Sequence, residues 1–391
     1  MLFTNPSPND PAFKWRGEAT YTYLERSSDS VAVAVRRLVE DWFALFPQNG
    51  RDEIAARIRS GDETHFGSAF FELYLNALLH GLGYTVELHP ETKSDLPTRP
   101  DFLVREEGTD AFYLEARVAT ETSAAERGTE ALRNAVFLAI DQMESPNFFL
   151  TVRERGSPRT APSSSRLTRQ LQEWLGTLDP DEAMRQLTSR GMRGLPPLIF
   201  RHEDWIVEFS AMPKSHKLRG RPGVRTIGVQ FGPGFQPVTT ADAVKRALKK
   251  KLGKYGKLGL PYIVAVNASG SFGEHSALLE ALFGSETFLL DDANEAGGVL
   301  TRKQDGLYSI AGNNTRLSAA LIVPGLHTTT VASTEPVLFH NPSAALVCEG
   351  RICLLSQGRI SDGVIQIIPG TLVREILHID ADWLGLPRVA L

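Results

Sequence analysis

The sequence predicts a mixed α/β fold, and three patterns carry that prediction. A helix is expected at 65–83, where apolar residues recur at three- and four-residue spacing. Three short strand-like runs follow at 84–90, 100–106 and 111–120, separated by turns that contain Pro or Gly. Further along, a basic helix leads into the apolar run that begins at Pro261, a pattern typical of a helix feeding a buried strand.

The composition supports a folded protein and limits its partners. Hydrophobic residues make up 42% of the 391 residues and charged residues 23%, which are ordinary globular values. The chain is long enough for two structural regions or for one elaborated domain. Its net charge is −4, so the field of the whole molecule does not favour a polyanion, and nucleic-acid binding would require a local basic patch.

The two cysteines, Cys348 and Cys353, are too few for a disulfide framework or a cysteine-rich zinc site, which fits a reducing compartment. The first residues show no basic segment followed by an apolar run, and no stretch approaches the ~20 apolar residues that a membrane span requires. We therefore expect a cytoplasmic protein with no membrane partner.

The first region, 1–60, is expected to be helical, with apolar residues at helical spacing between 30 and 59 and a turn near Pro47. The second, 61–156, contains the helix and the three strands described above. These are followed by a predicted helix at 123–143 and a strand at 147–154, so that the order is helix, three strands, helix, strand.

The Pro- and Ser-rich segment 156–166 is the best candidate for a linker between two halves. Beyond it, 166–391 is predicted to be a mixed α and β region that contains the basic helix at 240–257. Two arrangements of its strands are compatible with the sequence, a separate region or a continuation of the first sheet.

Two acidic residues, Asp101 and Glu115, are placed where they could share a divalent cation. Asp101 follows Pro100 at the start of the second strand, and Glu115 lies within the third, so a short hairpin would bring them together. Mg²⁺ prefers a few carboxylate oxygens and keeps water positions open for substrate phosphates. Two plainer readings compete: Asp101 as a turn residue, and Glu115 on a solvated strand face opposite its apolar neighbours.

The element order, the Pro100-Asp101 pair and Glu115 in the third strand resemble the PD-(D/E)xK nuclease superfamily, which has a restriction-endonuclease-like αβββαβ core. The resemblance implies a nuclease that acts on DNA, plausibly in bacterial restriction or defence, with Mg²⁺ or Mn²⁺ bound by Asp101 and Glu115. An acid on the preceding helix often assists in this family, and Glu72 lies at the corresponding place. Because many such nucleases dimerise to cut both strands, a homodimer is also an expectation.

One residue departs from the family pattern. Arg117 stands where the family has a lysine, two positions after the strand acid. Arginine stays charged and its planar fork suits a phosphate, so Arg117 could stabilise a transition state but not act as a base. Three possibilities remain: the metal alone activates water, Lys93 replaces the missing lysine, or catalysis is lost and the fold serves as a module that binds nucleic acid or a protein.

Two basic segments are candidates for contact with nucleic acid, DNA more than RNA, by release of counterions from the phosphate backbone. For each, a merely solvated or exposed segment is the plainer alternative. The first patch is on the predicted basic helix and the second is in a loop that contains Gly and Pro. The first comprises Lys245, Arg246, Lys249, Lys250, Lys251, Lys254 and Lys257, and the second comprises Lys214, His216, Lys217, Arg219, Arg221 and Arg225.

Overall fold

The structure is a computed structural model in which the chain divides into two compact units. Unit 1 consists of 1–14, 19–121 and 238–391, and unit 2 consists of 15–18 and 122–237. The residues that the structure describes are 1–5, 7–15, 17–92, 98–120, 124–216, 219–220, 226–231, 248, 258–269, 275–284, 286–289, 299–308, 314–361 and 364–385.

The elements are numbered along the whole chain. The helices are α1 (Thr20–Arg26), α2 (Ser30–Leu45), α3 (Arg51–Arg59), α4 (Glu63–Gly81), α5 (Ala124–Asp141), α6 (Ser164–Gly176), α7 (Pro180–Arg190), α8 (His275–Phe283) and α9 (Val373–Ile376), with short 3₁₀ helices at Gln48–Gly50, Gly191–Gly194 and Arg351–Leu354. The strands are β1 (Thr85–Leu88), β2 (Phe102–Glu106), β3 (Thr109–Thr120), β4 (Phe148–Arg155), β5 (Pro197–His202), β6 (Trp205–Pro213), β7 (Ile227–Phe231), β8 (Tyr262–Ser269), β9 (Glu286–Leu289), β10 (Val299–Arg302), β11 (Ala319–Pro324), β12 (Val337–His340), β13 (Ser356–Ser361) and β14 (Val364–Ile368).

Helix α4 begins and ends where its sequence specifies. The Asp62 side chain accepts hydrogen bonds from the backbone N–H groups of Thr64 and His65, which satisfies two of the donors that a helix start leaves open. At the other end Gly83 adopts a φ of 84°, and its N–H bonds to the His80 carbonyl at 2.8 Å. The helix predicted at 65–83 is thus confirmed, and it ends in a Schellman-type stop.

Unit 1 is built around an eight-stranded mixed sheet with the order β1-β2-β3-β8-β11-β12-β13-β14. Strands β1, β2 and β3 pair antiparallel, in agreement with the three predicted strand runs. Strand β8 then pairs parallel with β3 on one side and with β11 on the other. The sheet therefore combines strands from both halves of the sequence, and β9 and β10 form a separate two-stranded hairpin.

Both faces of the sheet in unit 1 are covered. On β3, Phe112, Leu114 and Ala116 join a core that includes the buried side of α4 and the N-terminal helices. The intervening residue Tyr113 belongs to a second core, formed with residues of β8 such as Val264. Because successive strand residues point to opposite faces, Glu115 and Arg117 lie on the same face of β3 as Tyr113.

Unit 2 has its own sheet, in the order β5-β6-β4-β7, with the apolar faces of α5 and α6 packed on one side. The strand predicted at 147–154 exists as β4, but it belongs to this sheet and not to the sheet of the Asp101 region. The predicted fourth strand of the core is therefore wrong, and the parallel neighbour of β3 is β8. The predicted linker, 156–166, lies inside unit 2 and marks no boundary between the units.

The compact units also differ from the predicted segments 1–60, 61–156 and 166–391. Unit 1 takes in the N-terminal helices and the C-terminal strands, and unit 2 is inserted between β3 and β8 along the chain. Apart from Leu248, the predicted basic helix at 240–257 lies outside the described residues. None of the helices in the described parts of the chain is both long and apolar enough to cross a membrane.

Candidate metal-binding site

The Asp101 carboxylate is hydrogen-bonded to the backbone of β3. Its Oδ2 accepts a hydrogen bond from the N–H of Ala116 at 2.8 Å, and its own carbonyl accepts one from the N–H of His89 at 3.1 Å. Phe102, the first residue of β2, pairs with Leu114, so the register continues with Asp101 beside Glu115. The hairpin thus brings the two predicted acids to neighbouring backbone positions, with the Asp101 carboxylate held at the peptide that follows Glu115.

Glu115 is fully buried, with 0% of its surface exposed. The plainer reading of a solvated strand face is therefore wrong, because the second core of unit 1 lies on this face of β3. A carboxylate buried in this way is stable in its charged form only where a cation or hydrogen bonds compensate for the lost hydration. Glu115 is thus a buried acid on the strand that pairs with the one beginning after Asp101, which makes it the second candidate ligand.

Glu72 is held by an arginine that the sequence analysis did not identify. Both carboxylate oxygens accept hydrogen bonds from the guanidinium of Arg57, at 2.6 and 2.9 Å, and Arg57 also donates to Ser68. Burial raises the pKa of Glu72 above its ordinary value, and the nearby Asp101 charge adds to this effect while Arg57 opposes it. The helix acid is thus close enough to Asp101 for their charges to interact, but its oxygens are occupied.

A narrow cleft in unit 1 collects several of these groups. Its cavity volume is about 10 Å³, close to the space that one water molecule needs. The lining includes Asp101, Glu72, Arg57 and His89, whose backbone has a φ of 48°, in the left-handed region. The cleft as it stands has room for a small ion but not for a phosphodiester.

Glu115 and Arg117 are not among the residues that line this cleft. Arg117 is partly buried, and its Nε has no hydrogen-bond partner among the described residues. Its position two residues after Glu115 on one strand face places its guanidinium on the same side of the sheet as that acid. Lys93, the predicted substitute for the missing lysine, lies outside the described residues.

The three predicted carboxylates fit Mg²⁺ only as a site with few protein ligands. No group of three or more His, Cys, Asp or Glu residues within the described part of the chain is arranged to hold a metal ion. Asp101, Glu115 and Glu72 therefore do not form a three-ligand cage. Mg²⁺ commonly takes only one or two carboxylates and completes its shell with water and substrate oxygens, so a site with two protein ligands is the form that remains to be considered for Asp101 and Glu115.

The basic patches fall mostly outside the described residues: the seven residues of the predicted helix, Lys245, Arg246, Lys249, Lys250, Lys251, Lys254 and Lys257, together with Lys217, Arg221 and Arg225 of the loop. Of the rest, Lys214 is 1% exposed and donates to the Ser145 carbonyl at 2.7 Å, so its predicted place in an exposed phosphate-binding loop is wrong. Arg219 donates to Asp181 at 2.8 Å, and His216 lies 3.8 Å from the same carboxylate.

Two residues of the cleft show what sequence patterns miss. Arg57 is on α3 and meets Glu72 only because α3 packs against α4, a contact that no local spacing predicts. His89 follows directly after β1 and lines the cleft, which depends on how β1 packs against the helices. Comparison of the chain with protein-family models, with curated proteins and with solved structures gives no significant match.

Proposed function

We propose that unit 1 is a Mg²⁺-dependent nuclease of the PD-(D/E)xK kind, in which Asp101 and Glu115 hold the metal. The observation that carries the proposal is the hydrogen bond from the Ala116 N–H to the Asp101 carboxylate, which holds this acid at the peptide bond that joins Glu115 to Ala116. A carboxylate at a strand start and a buried carboxylate on the next strand form the pair that such a metal site requires.

The sheet topology supports the proposal with one change to the predicted core. Helix α4 packs on β3, the strands β1, β2 and β3 are antiparallel, and a parallel strand follows on the far side of β3. In the proposed αβββαβ core, β8 takes the place that sequence analysis assigned to 147–154.

In the proposed reaction, four residues of the chain have separate roles. Asp101 and Glu115 hold the cation, which when bound polarises a phosphodiester and activates water. Arg117 supplies positive charge on the Glu115 side of β3 and suits an anionic phosphate oxygen. Glu72 is a positioning residue, since its ion pair with Arg57 orders the cleft wall next to Asp101.

A nuclease assay tests this proposal with matched variants. The full chain is incubated with duplex DNA, single-stranded DNA and RNA in Mg²⁺, in Mn²⁺ and in EDTA. We expect metal-dependent cleavage that Asp101→Asn and Glu115→Gln each abolish, while Asp110→Asn, which alters an exposed acid of the same hairpin, retains it. Cleavage that persists in both site variants would refute the assignment.

A second candidate is a catalytically inactive nuclease fold that binds nucleic acid. Two observations favour it: Arg117 replaces the lysine, and both oxygens of Glu72 are engaged by Arg57. This alternative predicts nucleic-acid binding that is equal in Mg²⁺ and in EDTA, with no cleavage of any substrate. Metal-dependent cleavage that requires Asp101 would exclude it.

A further inference from the structure

Unit 2 carries an open groove on the side of its sheet opposite the helices. The groove has a volume of about 280 Å³. Its floor is formed by outward-facing residues of two neighbouring strands, Thr151 and Arg153 of β4 and Glu208 and Ser210 of β6. The alternate residues of these strands, such as Val152 and Phe209, point into the core of the unit, so the floor is a sheet face that helices α5 and α6 do not cover.

The chemistry of the groove is mixed. Two exposed arginines, Arg153 on the floor and Arg193 on the 3₁₀ helix beside it, supply positive charge. Glu208 lies within 3.8 Å of Arg153 and places a carboxylate acceptor on the same floor. Met192 and Leu195 add an apolar wall. The groove thus offers cationic donors, one anionic acceptor and an apolar surface within a small volume.

Two further arginines add positive charge around the groove. Arg155 continues the outward face of β4, and Arg201 lies on β5; both are exposed. Among the described residues, three arginines of this sheet face and Arg193 of the adjacent 3₁₀ helix therefore share the surface with the carboxylate of Glu208. Such a surface attracts a polyanion, and arginine forks suit the paired oxygens of a phosphate.

We propose that this groove binds one unstacked nucleotide of a single-stranded nucleic acid. Arg153 and Arg193 would contact its phosphates, and the wall formed by Met192 and Leu195 would pack on the base. Glu208 would accept a hydrogen bond from an exocyclic amino group, as carboxylates do with cytosine. The volume is at the small end of the range for ligand pockets, which suits one nucleotide and not a duplex.

The Glu208 carboxylate makes the groove more suitable for a nucleotide than for other anions. A plain phosphate offers no hydrogen-bond donor to the Glu208 carboxylate, whereas a nucleotide carries both an anionic phosphate and an amino donor. The inference deepens the proposed function, and it rests on that function in one respect: nucleic acid is the substrate class of the proposed nuclease.

Binding is measured without cleavage, so that this inference and the proposed nuclease can fail separately. The full chain carrying Asp101→Asn is titrated in EDTA with a fluorescein-labelled single-stranded DNA, and anisotropy is followed over a series of salt concentrations. We expect Arg193→Glu to weaken binding about tenfold and to lower the salt slope by about 0.7, the value for one phosphate contact with a single strand. Arg153→Glu should act in the same direction.

Matched variants separate a local contact from a change in net charge. Arg169→Glu makes the same charge change at an exposed position of α6, the helix layer of unit 2, and should leave the affinity unchanged. Glu208→Ala should reduce a preference for oligo-dC over oligo-dT, because thymine has no exocyclic amino group. Circular dichroism of each variant checks that unit 2 remains folded, and Arg193→Gln repeats the measurement with a smaller change.

The outcomes are distinct. Wild-type affinity in both arginine variants, or an equal loss in Arg169→Glu, would overturn the inference. Competition by an acidic peptide as effective as competition by a free nucleotide would also overturn it, in favour of a protein partner. Groove-dependent binding by a chain that cleaves nothing in Mg²⁺ would uphold the nucleotide site and refute only the proposed nuclease.

Discussion

Replacing Arg57 with methionine should destabilise α4 in a way that depends on pH. The guanidinium binds both carboxylate oxygens of Glu72, and only 25% and 19% of the two side chains are exposed. Removal of the cation leaves a carboxylate in a site that no longer compensates for its lost hydration, next to the charge of Asp101. Methionine keeps most of the length of the arginine side chain, so the lost ion pair dominates the effect.

The magnitude follows from the burial of the pair. Breaking a buried ion pair by removing one partner typically costs 3–5 kcal/mol. Since about a fifth of the Glu72 side chain still reaches water, we take the lower end, about 3 kcal/mol at pH 8. This corresponds to an increase of about a hundredfold in the population of the open state of the helix.

The pH dependence has a defined sign. The pKa of Glu72 is already raised above 4.5 in the folded protein, mainly by burial, so the folded state binds more protons than the unfolded state above pH 4.5. Without Arg57 this pKa rises further. The stability of the variant should therefore fall as pH rises through the folded-state pKa, and the loss relative to wild type should shrink as pH falls towards 4.5.

Hydrogen exchange over Glu63–Gly81, followed by mass spectrometry at pH 5 and pH 8, measures this local opening directly. The variants are Arg57→Met, Glu72→Gln and the double substitution, with Arg37→Met at an exposed position of α2 as the control. The double variant should recover most of the loss, because no buried charge remains. An equal loss at both pH values, or no recovery in the double variant, would refute the reasoning.

Three further predictions concern buried groups elsewhere in the chain. Glu154→Gln should cost about 3 kcal/mol in unit 2 and speed exchange in β4, because a fully buried carboxylate that binds Arg133 and Trp205 is replaced; unchanged exchange would contradict this. Burial lowers the pKa of Lys214, so stability should rise with pH between its folded-state pKa and 10.5, and Lys214→Met should lose that rise in urea unfolding. Burial raises the pKa of Cys348 to about 12, so a thiol reagent at pH 8 should label it only after denaturant is added, and rapid native labelling would refute the assigned burial.

Local patterns predicted the elements around Asp101 well. Helix α4 has both helical apolar spacing and its own capping residues, Asp62 and Gly83, so its bounds are encoded within a short stretch of sequence. The strands β1, β2 and β3 lie between Pro- or Gly-containing turns and pair with their immediate neighbours. Contacts of this kind require no information from distant parts of the chain.

The choice of sheet for later strands could not be predicted from such patterns. Strand β4 was identified by its composition, but composition does not determine whether it pairs with β3 or with β6. The partner of β3 is β8, which follows the whole of unit 2 along the chain. The insertion leaves no signal in the Pro- and Ser-rich stretch at 156–166, because that stretch is only a connection within unit 2.

Sequence patterns predicted which residues belong to the candidate site, but not their burial or their partners. Alternation on β3 placed Glu115 opposite its apolar neighbours, which is correct, but its burial depends on β8 and a second core that distant residues provide. Glu72 was selected by its helix position, whereas its ion pair with Arg57 depends on how α3 packs against α4. Spacing identifies residues on one element, and tertiary packing determines their charge and partners.

The most direct test of the proposed metal site is a crystal structure of the full chain soaked in Mn²⁺, with anomalous scattering used to locate the ion. Our account predicts one ion bound by carboxylate oxygens of both Asp101 and Glu115 at about 2.1 Å, with water completing the shell. No ion at this place, or an ion bound by other residues while the two carboxylates stay beyond a shared coordination sphere, would contradict it.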